Sequence, residues 1–274
     1  MKRYLIALDL DGTLLYDWQT ISPKTRDYLQ QLSKEGHAIV IATGRPYRSS
    51  VMFYDQLGLT TPIINYNGGL VTNPHDKTFQ PFNLSMPREY VVDIYEHNKD
   101  IIENAFGEVE DDIYLLEDTD KIRPLLHYFN GATLTVGPFS EILNHDPNGF
   151  LIVCHDGEAP KLEEFIRTEY DGKLLARNWG AFYNYVVELY TPQTSKGRGL
   201  EYVANHLGFE PSDVIAFGDA HNDIEMLQYA GLGVAMKNAQ DVLKEHADDI
   251  TEYDNTQDGL VHYLTTFFQQ NGNR

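Results

Sequence analysis

The feature that most constrains this chain is an apolar run that stops abruptly on acids. Residues 4–8 read Tyr-Leu-Ile-Ala-Leu, and Asp9-Leu10-Asp11-Gly12-Thr13 follows at once. Apolar at every position rather than at alternate ones, the run reads as a strand buried on both faces of a sheet and ending in a loop. Loops at the carboxyl ends of parallel strands are where open α/β sheets bind ligands. Asp9 could simply cap a turn that Gly12 shapes. That leaves unexplained two acids at the end of a buried strand, whose mutual repulsion calls for a cation.

A strand–helix–strand rhythm surrounds this motif. Ser22-Pro23 opens a helix, with a capping hydroxyl before proline at the first helical position, and Gly36 closes it. Residues 38–41 read as a second strand, Thr43-Gly44-Arg45 leads into a helix ending near Leu57, and residues 62–65 read as a third strand. The rhythm returns late in the chain, with helices over 196–207, 223–229, 239–246 and about 259–269 and strands over 214–217 and 232–235. Such alternation predicts a Rossmann-like, doubly wound parallel sheet with right-handed crossovers. Between them, helical patterns over 87–98, 118–129 and 160–170 alternate with extended ones over 133–136, 150–154 and 173–179. The expected organisation is an α/β core over 1–81 and 184–274, with an inserted α/β domain over 82–183. Asn67-Gly68-Gly69 reads as a hairpin turn. The acidic residues 108–120 read as a solvated face or loop rather than a calcium site.

Asp219 and Asp223, in Gly218-Asp219-Ala220-His221-Asn222-Asp223, also follow a predicted strand. Carboxylates converging on one sheet edge fit a hard, oxygen-ligated ion, and Mg²⁺ suits them best. His221 reads as a loop residue, since no second histidine or cysteine stands nearby to make a transition-metal site. Thr43-Gly44 offers a hydroxyl, backbone N–H groups and a helix N-terminus, which together bind anions. Lys196 opens a helix, where the dipole disfavours a cation, so it reads either as pointing at an anion or as a surface lysine. A P-loop is excluded because its upstream glycine is missing. Together the pieces describe phosphoryl transfer to an aspartate, with one carboxylate as nucleophile and a second, two residues on, as proton donor.

Composition narrows the partners. With 21 Lys+Arg against 41 Asp+Glu the net charge is −20, which repels phosphate backbones and anionic lipid heads. No nucleic-acid or membrane partner is expected, and an anionic small substrate would need a local cation. Cys154 is the single cysteine, which leaves no intramolecular disulfide and reads as a small buried residue. No apolar run reaches the roughly 18 residues of a membrane span, and a cytoplasmic location is the expectation. Trp179 and Tyr183 read as packing residues rather than sugar-stacking platforms.

The motifs Asp9-Leu10-Asp11-Gly12-Thr13, Ala42-Thr43-Gly44-Arg45-Pro46, Lys196-Gly197 and Gly218-Asp219 through Asn222-Asp223, in that order, resemble those of the haloacid dehalogenase superfamily. Within it they are most similar to the Cof-type sugar-phosphatase-like hydrolases, a likeness that Tyr66-Asn67-Gly68-Gly69 and Asp258-Gly259-Leu260 extend. The resemblance implies a Mg²⁺-dependent phosphatase of small phosphorylated metabolites that works through an aspartyl phosphate. It makes Asp9 the nucleophile and a metal ligand, and Asp11 the general acid/base and a metal ligand through its backbone carbonyl. Lys196 is catalytic and, with Leu10, Thr43, Gly44 and Asn222, holds the phosphoryl group. Asp219, with Asp223 in support, completes the metal site. The insert then corresponds to a cap that selects substrates. Two alternatives stand beside this: a phosphomutase, and a non-enzymatic phosphate-sensing or regulatory module. Against the module stand an insert of about 100 residues, as large as a small domain, and an acid/base residue.

Overall fold

The leading apolar run forms a strand, Leu5–Leu8, with every residue buried. It pairs in parallel with Val214–Gly218 on one side and Ala38–Ile41 on the other. Leu232–Ala235 and Asp249–Ile250 extend the sheet beyond Val214–Gly218, giving five parallel strands. The computed structural model, which describes residues 2–127, 131–180 and 183–271, divides the chain into two units. The first comprises Met1–Arg45, Ser50–Phe82 and Ser195–Arg274, and contains this sheet.

Local chemistry fixes its helices. The Ser22 side chain accepts the N–H of Thr25 ahead of Pro23–Lys34, and the Ser195 side chain accepts that of Arg198 ahead of Lys196–Leu207. Ile224–Tyr229 follows Val214–Gly218 and leads to Leu232–Ala235, as a crossover between parallel strands requires. The third strand departs from expectation. Ile63–Asn65 meets the parallel sheet only through one bridge, Ala42 to Ile64, and pairs antiparallel with Leu70–Thr72 in a small separate sheet.

The second unit, Pro46–Ser49 with Asn83–Thr194, is built on a six-stranded sheet. Its order is Leu175–Asn178, Val186–Tyr190, Gly149–Cys154, Ile102–Val109, Asp112–Leu115 and Leu134–Val136, antiparallel except for the last pair. Gly149–Cys154 alternates between two cores. Phe150, Ile152 and Cys154 face a cluster with Val91, Ile94, Leu162 and Ile166 of the flanking helices, while Leu151 and Val153 face Phe106, Ile113, Leu115 and Leu126. Cys154 is buried as expected, and burial pushes its thiol up to about 12.

Three expectations need correction here. The second junction falls at Thr194/Ser195 rather than 183/184, because Val186–Tyr190 hydrogen-bonds into the sheet of the insert. The expected helix over 118–129 is only a short 3₁₀ turn, Arg123–Leu125, and its far end lies outside the described residues. The acidic stretch is not simply a solvated face, since Glu108 is buried within Ile102–Val109 and Asp112–Leu115 is a strand. Arg48 accounts for Glu108: its guanidinium pairs with that carboxylate and also donates to the carbonyls of Leu126 at 2.7 Å and His127 at 3.1 Å. Arg48 is itself only 1% exposed. Removing one member of a buried pair strands the other's charge, so Glu108→Ala is expected to cost about 3–5 kcal/mol of stability, measured by urea denaturation.

His37 gives the first unit a pH dependence. Its Nδ1 accepts the Tyr4 N–H at 3.1 Å, and its ring packs on Tyr4 and Phe268. Burial holds its pKa below the usual 6.5, with Glu35 opposing and Arg3 adding slightly to the shift. The ring is therefore neutral when folded but charges readily when unfolded, so its contribution is present above about pH 6.5 and lost as pH falls through the folded value. The melting temperature of wild type is expected to drop more between pH 7.5 and pH 5.5 than that of His37→Phe, by roughly the slope of one proton.

Candidate active site

Sheet topology brings the two acidic motifs together. Leu8 is in register with Phe217, and the Asp9 N–H donates to the Phe217 carbonyl at 3.1 Å, so Asp9 and Asp219 leave neighbouring strands side by side. On the other flank the Ala42 N–H donates to the Leu8 carbonyl at 2.9 Å, which sets Thr43 beside the same edge. The crossovers on either side of Leu5–Leu8 run in opposite directions across the sheet, so this is its switch point. After Asp9 the chain turns tightly, with Gly12 at φ +77° and the Leu15 N–H closing on the Leu10 carbonyl at 2.8 Å. A Cβ on Gly12 would lie 2.3 Å from the Asp219 carboxylate, so glycine is required for the turn and for the approach. Gly12→Ala is expected to lower stability by about 1–3 kcal/mol, read by urea denaturation.

Lys196 is the one cation in the buried part of this cluster among the described residues. Its Nζ lies 2.5 Å from Asp9 Oδ1 and 2.6 Å from Asp223 Oδ1, at the first position of its helix. Asp223 Oδ2 accepts the backbone N–H groups of Asp219 and Ala220, both at 3.0 Å. Burial works against the charge on Lys196, but Asp223 and Asp9 outweigh it and hold the ammonium protonated. The carboxylates are pushed the opposite way. Burial raises Asp9 well above its ordinary range, with Lys196 opposing and Asp223, Asp219 and Asp11 adding to the rise. Asp219 is raised to about 7 by burial and by Asp223.

Asp9, Asp219 and Asp223 offer oxygens that lie within 4.8 Å of one another. Three carboxylates against one ammonium leave two formal negative charges in this site without a partner cation among the described residues. Oxygen donors with this residual charge fit a hard divalent cation such as Mg²⁺.

The remaining predicted residues divide. Thr43 is fully buried, and its Oγ1 accepts the Arg45 N–H at 3.1 Å. Gly44 lies against the Asn67 side chain, and the Asn222 Nδ2 donates to Asn67 Oδ1 at 2.9 Å. The Leu10 side chain is fully buried, which leaves its backbone to act. The Asp11 carboxylate stands apart from the metal-type cluster and is engaged by Arg45, whose Nε donates to Oδ2 at 2.8 Å and whose Nη2 donates to Oδ1. Arg45 Nη2 also reaches the Trp18 carbonyl at 2.7 Å. Neither Arg45 nor Asn67 was assigned to the site from sequence. Their signals were adjacency, Arg45 to Thr43-Gly44 and Asn67 to a turn glycine, and their place in stretches that carry the family resemblance.

A family model of haloacid dehalogenase-like hydrolases matches residues 6–264. A 5-amino-6-(5-phospho-D-ribitylamino)uracil phosphatase of Bacillus subtilis is 38% identical over 97% of this chain and 98% of its own. A second Bacillus subtilis phosphatase of the same description is 32% identical over 94% of this chain and 92% of its own. Among solved structures, a haloacid dehalogenase-like hydrolase from Bacteroides thetaiotaomicron superposes with a TM-score of 0.84 at 28% identity, covering 97% of this chain and 100% of that one. No helix of the described residues is long and apolar enough to cross a membrane.

Proposed function

The chain belongs to the haloacid dehalogenase-like hydrolase family and is a phosphatase, and from that premise we propose that it hydrolyses small phosphomonoesters in two steps at Asp9, with Mg²⁺ as cofactor. The observation that carries this reading is the Lys196 ammonium shared by Asp9 and Asp223, with Asp219 beside them on the adjacent strand end. Asp9 and Asp219, with the Asp11 carbonyl, would hold the metal. Asp223 supports them, since its oxygens already hold Lys196 and the 219–220 backbone. When bound, Mg²⁺ neutralises charge on the phosphoryl oxygens.

In the first step an Asp9 oxygen forms a bond to phosphorus as the ester oxygen leaves, and Asp11 protonates that oxygen. In the second, water attacks the acyl phosphate, Asp11 takes its proton, and inorganic phosphate departs with the Asp9 carboxylate restored. A proton on Asp11 occupies one of its two oxygens, so Arg45 would give up its hydrogen bond to that oxygen and could keep the other. Lys196, the Asn222 amide and the backbone around Leu10, Thr43 and Gly44 hold the phosphoryl oxygens.

Hydrolysis is favoured over phosphoryl return to a second hydroxyl because the relatives named above are phosphatases. They also supply a first substrate to test, 5-amino-6-(5-phospho-D-ribitylamino)uracil, for which both are described. Selection among phosphomonoesters we place in the inserted unit, since the residues above all belong to the other one.

Phosphate release from this ester, from pyridoxal phosphate and from hexose phosphates is the direct test. Release is expected to require Mg²⁺, to stop in EDTA, and to vanish in Asp9→Asn. Asp11→Asn is expected to lose about 10²–10⁴ in kcat, the usual worth of a positioned acid/base. Undiminished release in EDTA or in Asp9→Asn would contradict the proposal.

A further inference from the structure

Three consecutive residues, Tyr66, Asn67 and Gly68, have φ of +51°, +51° and +92°. A run of left-handed backbone that includes a tyrosine persists only where its surroundings over-determine it, and such strain gathers at functional sites. The surroundings here are the phosphate-binding residues themselves. The Asn67 N–H donates to the Thr43 carbonyl at 3.0 Å, and the Gly69 N–H closes the turn on the Tyr66 carbonyl at 2.9 Å. A Cβ on Gly68 would lie 2.0 Å from the Ser195 carbonyl and 3.2 Å from the Lys196 nitrogen, so the turn is pressed against the start of the Lys196 helix. A Cβ on Gly44 would lie 3.1 Å from the Asn67 carboxamide, which in turn accepts the Asn222 amide at 2.9 Å. Asn67 is 7% exposed.

We propose that Asn67 is a positioning residue for phosphoryl transfer: its carboxamide oxygen anchors one N–H of Asn222 and so aims the other at the phosphoryl group, while its left-handed turn holds Thr43-Gly44 and the Lys196 helix at fixed separations. The inference deepens the proposed function and rests on Asn222 as a phosphoryl donor. Asparagine suits both tasks, since it tolerates left-handed backbone better than other side chains and carries the acceptor that the Asn222 amide needs. Aspartate would also accept but would bring a negative charge toward an anion.

Asn67→Gly separates the two roles, because glycine adopts the backbone freely while losing the carboxamide. With saturating Mg²⁺, the variant is expected to keep or raise the wild-type melting temperature. Its product inhibition constant for inorganic phosphate should weaken about threefold to tenfold, the worth of one hydrogen bond, with a matching loss in kcat/KM. Asn222→Ala should weaken phosphate similarly, and the double variant should be no weaker than Asn222→Ala alone, because the two act as one unit. Wild-type phosphate inhibition in Asn67→Gly alongside weakened inhibition in Asn222→Ala would overturn the inference, as would additive losses in the double variant. A lowered melting temperature with unchanged kinetics would reduce Asn67 to a turn former and overturn it too. If Asn222→Ala itself leaves phosphate inhibition unchanged, the role of Asn222 as a phosphoryl donor fails first, and this inference falls with it.

Discussion

An ammonium group that is 1% exposed lies between two buried carboxylates, those of Asp9 and Asp223. Among the described residues Lys196 is the buried counter-charge of both Asp9 and Asp223, and it opposes the desolvation that raises the Asp9 carboxyl. With it, one of three nearby negative charges is offset, and the remaining two define the demand for a divalent cation. The chain carries a net charge of −20, so a phosphate ester approaches against the overall field. Lys196 is a local correction to that field, and a divalent cation held by the carboxylates would add to it.

The rest of the first unit serves this arrangement. The paired parallel strands Leu5–Leu8 and Val214–Gly218, buried at every position, put Asp9 and Asp219 on adjacent strand ends with little freedom to separate. Close approaches follow from there: Gly12 makes room for Asp219, and Asp223 turns back on the 219–220 backbone while gripping Lys196. Arg45 draws Asp11 away from the metal-type cluster, so the two carboxylates of the first motif are partnered by different cations. That division suits one acid as nucleophile and the other as proton carrier.

Much of this was legible in the sequence because it depended on local pattern. The apolar run into Asp9 and the capped helix at Ser22-Pro23 needed no distant partner to be read, and the carboxylates after Val214–Gly218 were found by position alone. What escaped depended on remote residues. Ile102–Val109 was missed because it carries a bulge and buries Asn104 and Glu108, and the arginine that satisfies Glu108 stands 60 positions away. Asn67 read as a hairpin residue because its partner Asn222 is 155 positions distant, and Arg45 stayed unassigned because Asp11 is 34 positions back. The junction at Thr194/Ser195 was misplaced for the same reason, since Val186–Tyr190 declares its sheet only through Gly149–Cys154 and Leu175–Asn178.

The central claim is that the phosphoryl group passes through Asp9. Asp11→Asn mixed rapidly with p-nitrophenyl phosphate and Mg²⁺ isolates that step, because a good leaving group needs no protonation while the acyl phosphate still lacks its base. Quenching in borohydride and mapping the peptides should then find homoserine in place of Asp9, alongside a burst of nitrophenol equal to the enzyme. Homoserine at Asp219 or Asp223, or nitrophenol release with no modified carboxylate and no burst, would contradict the account.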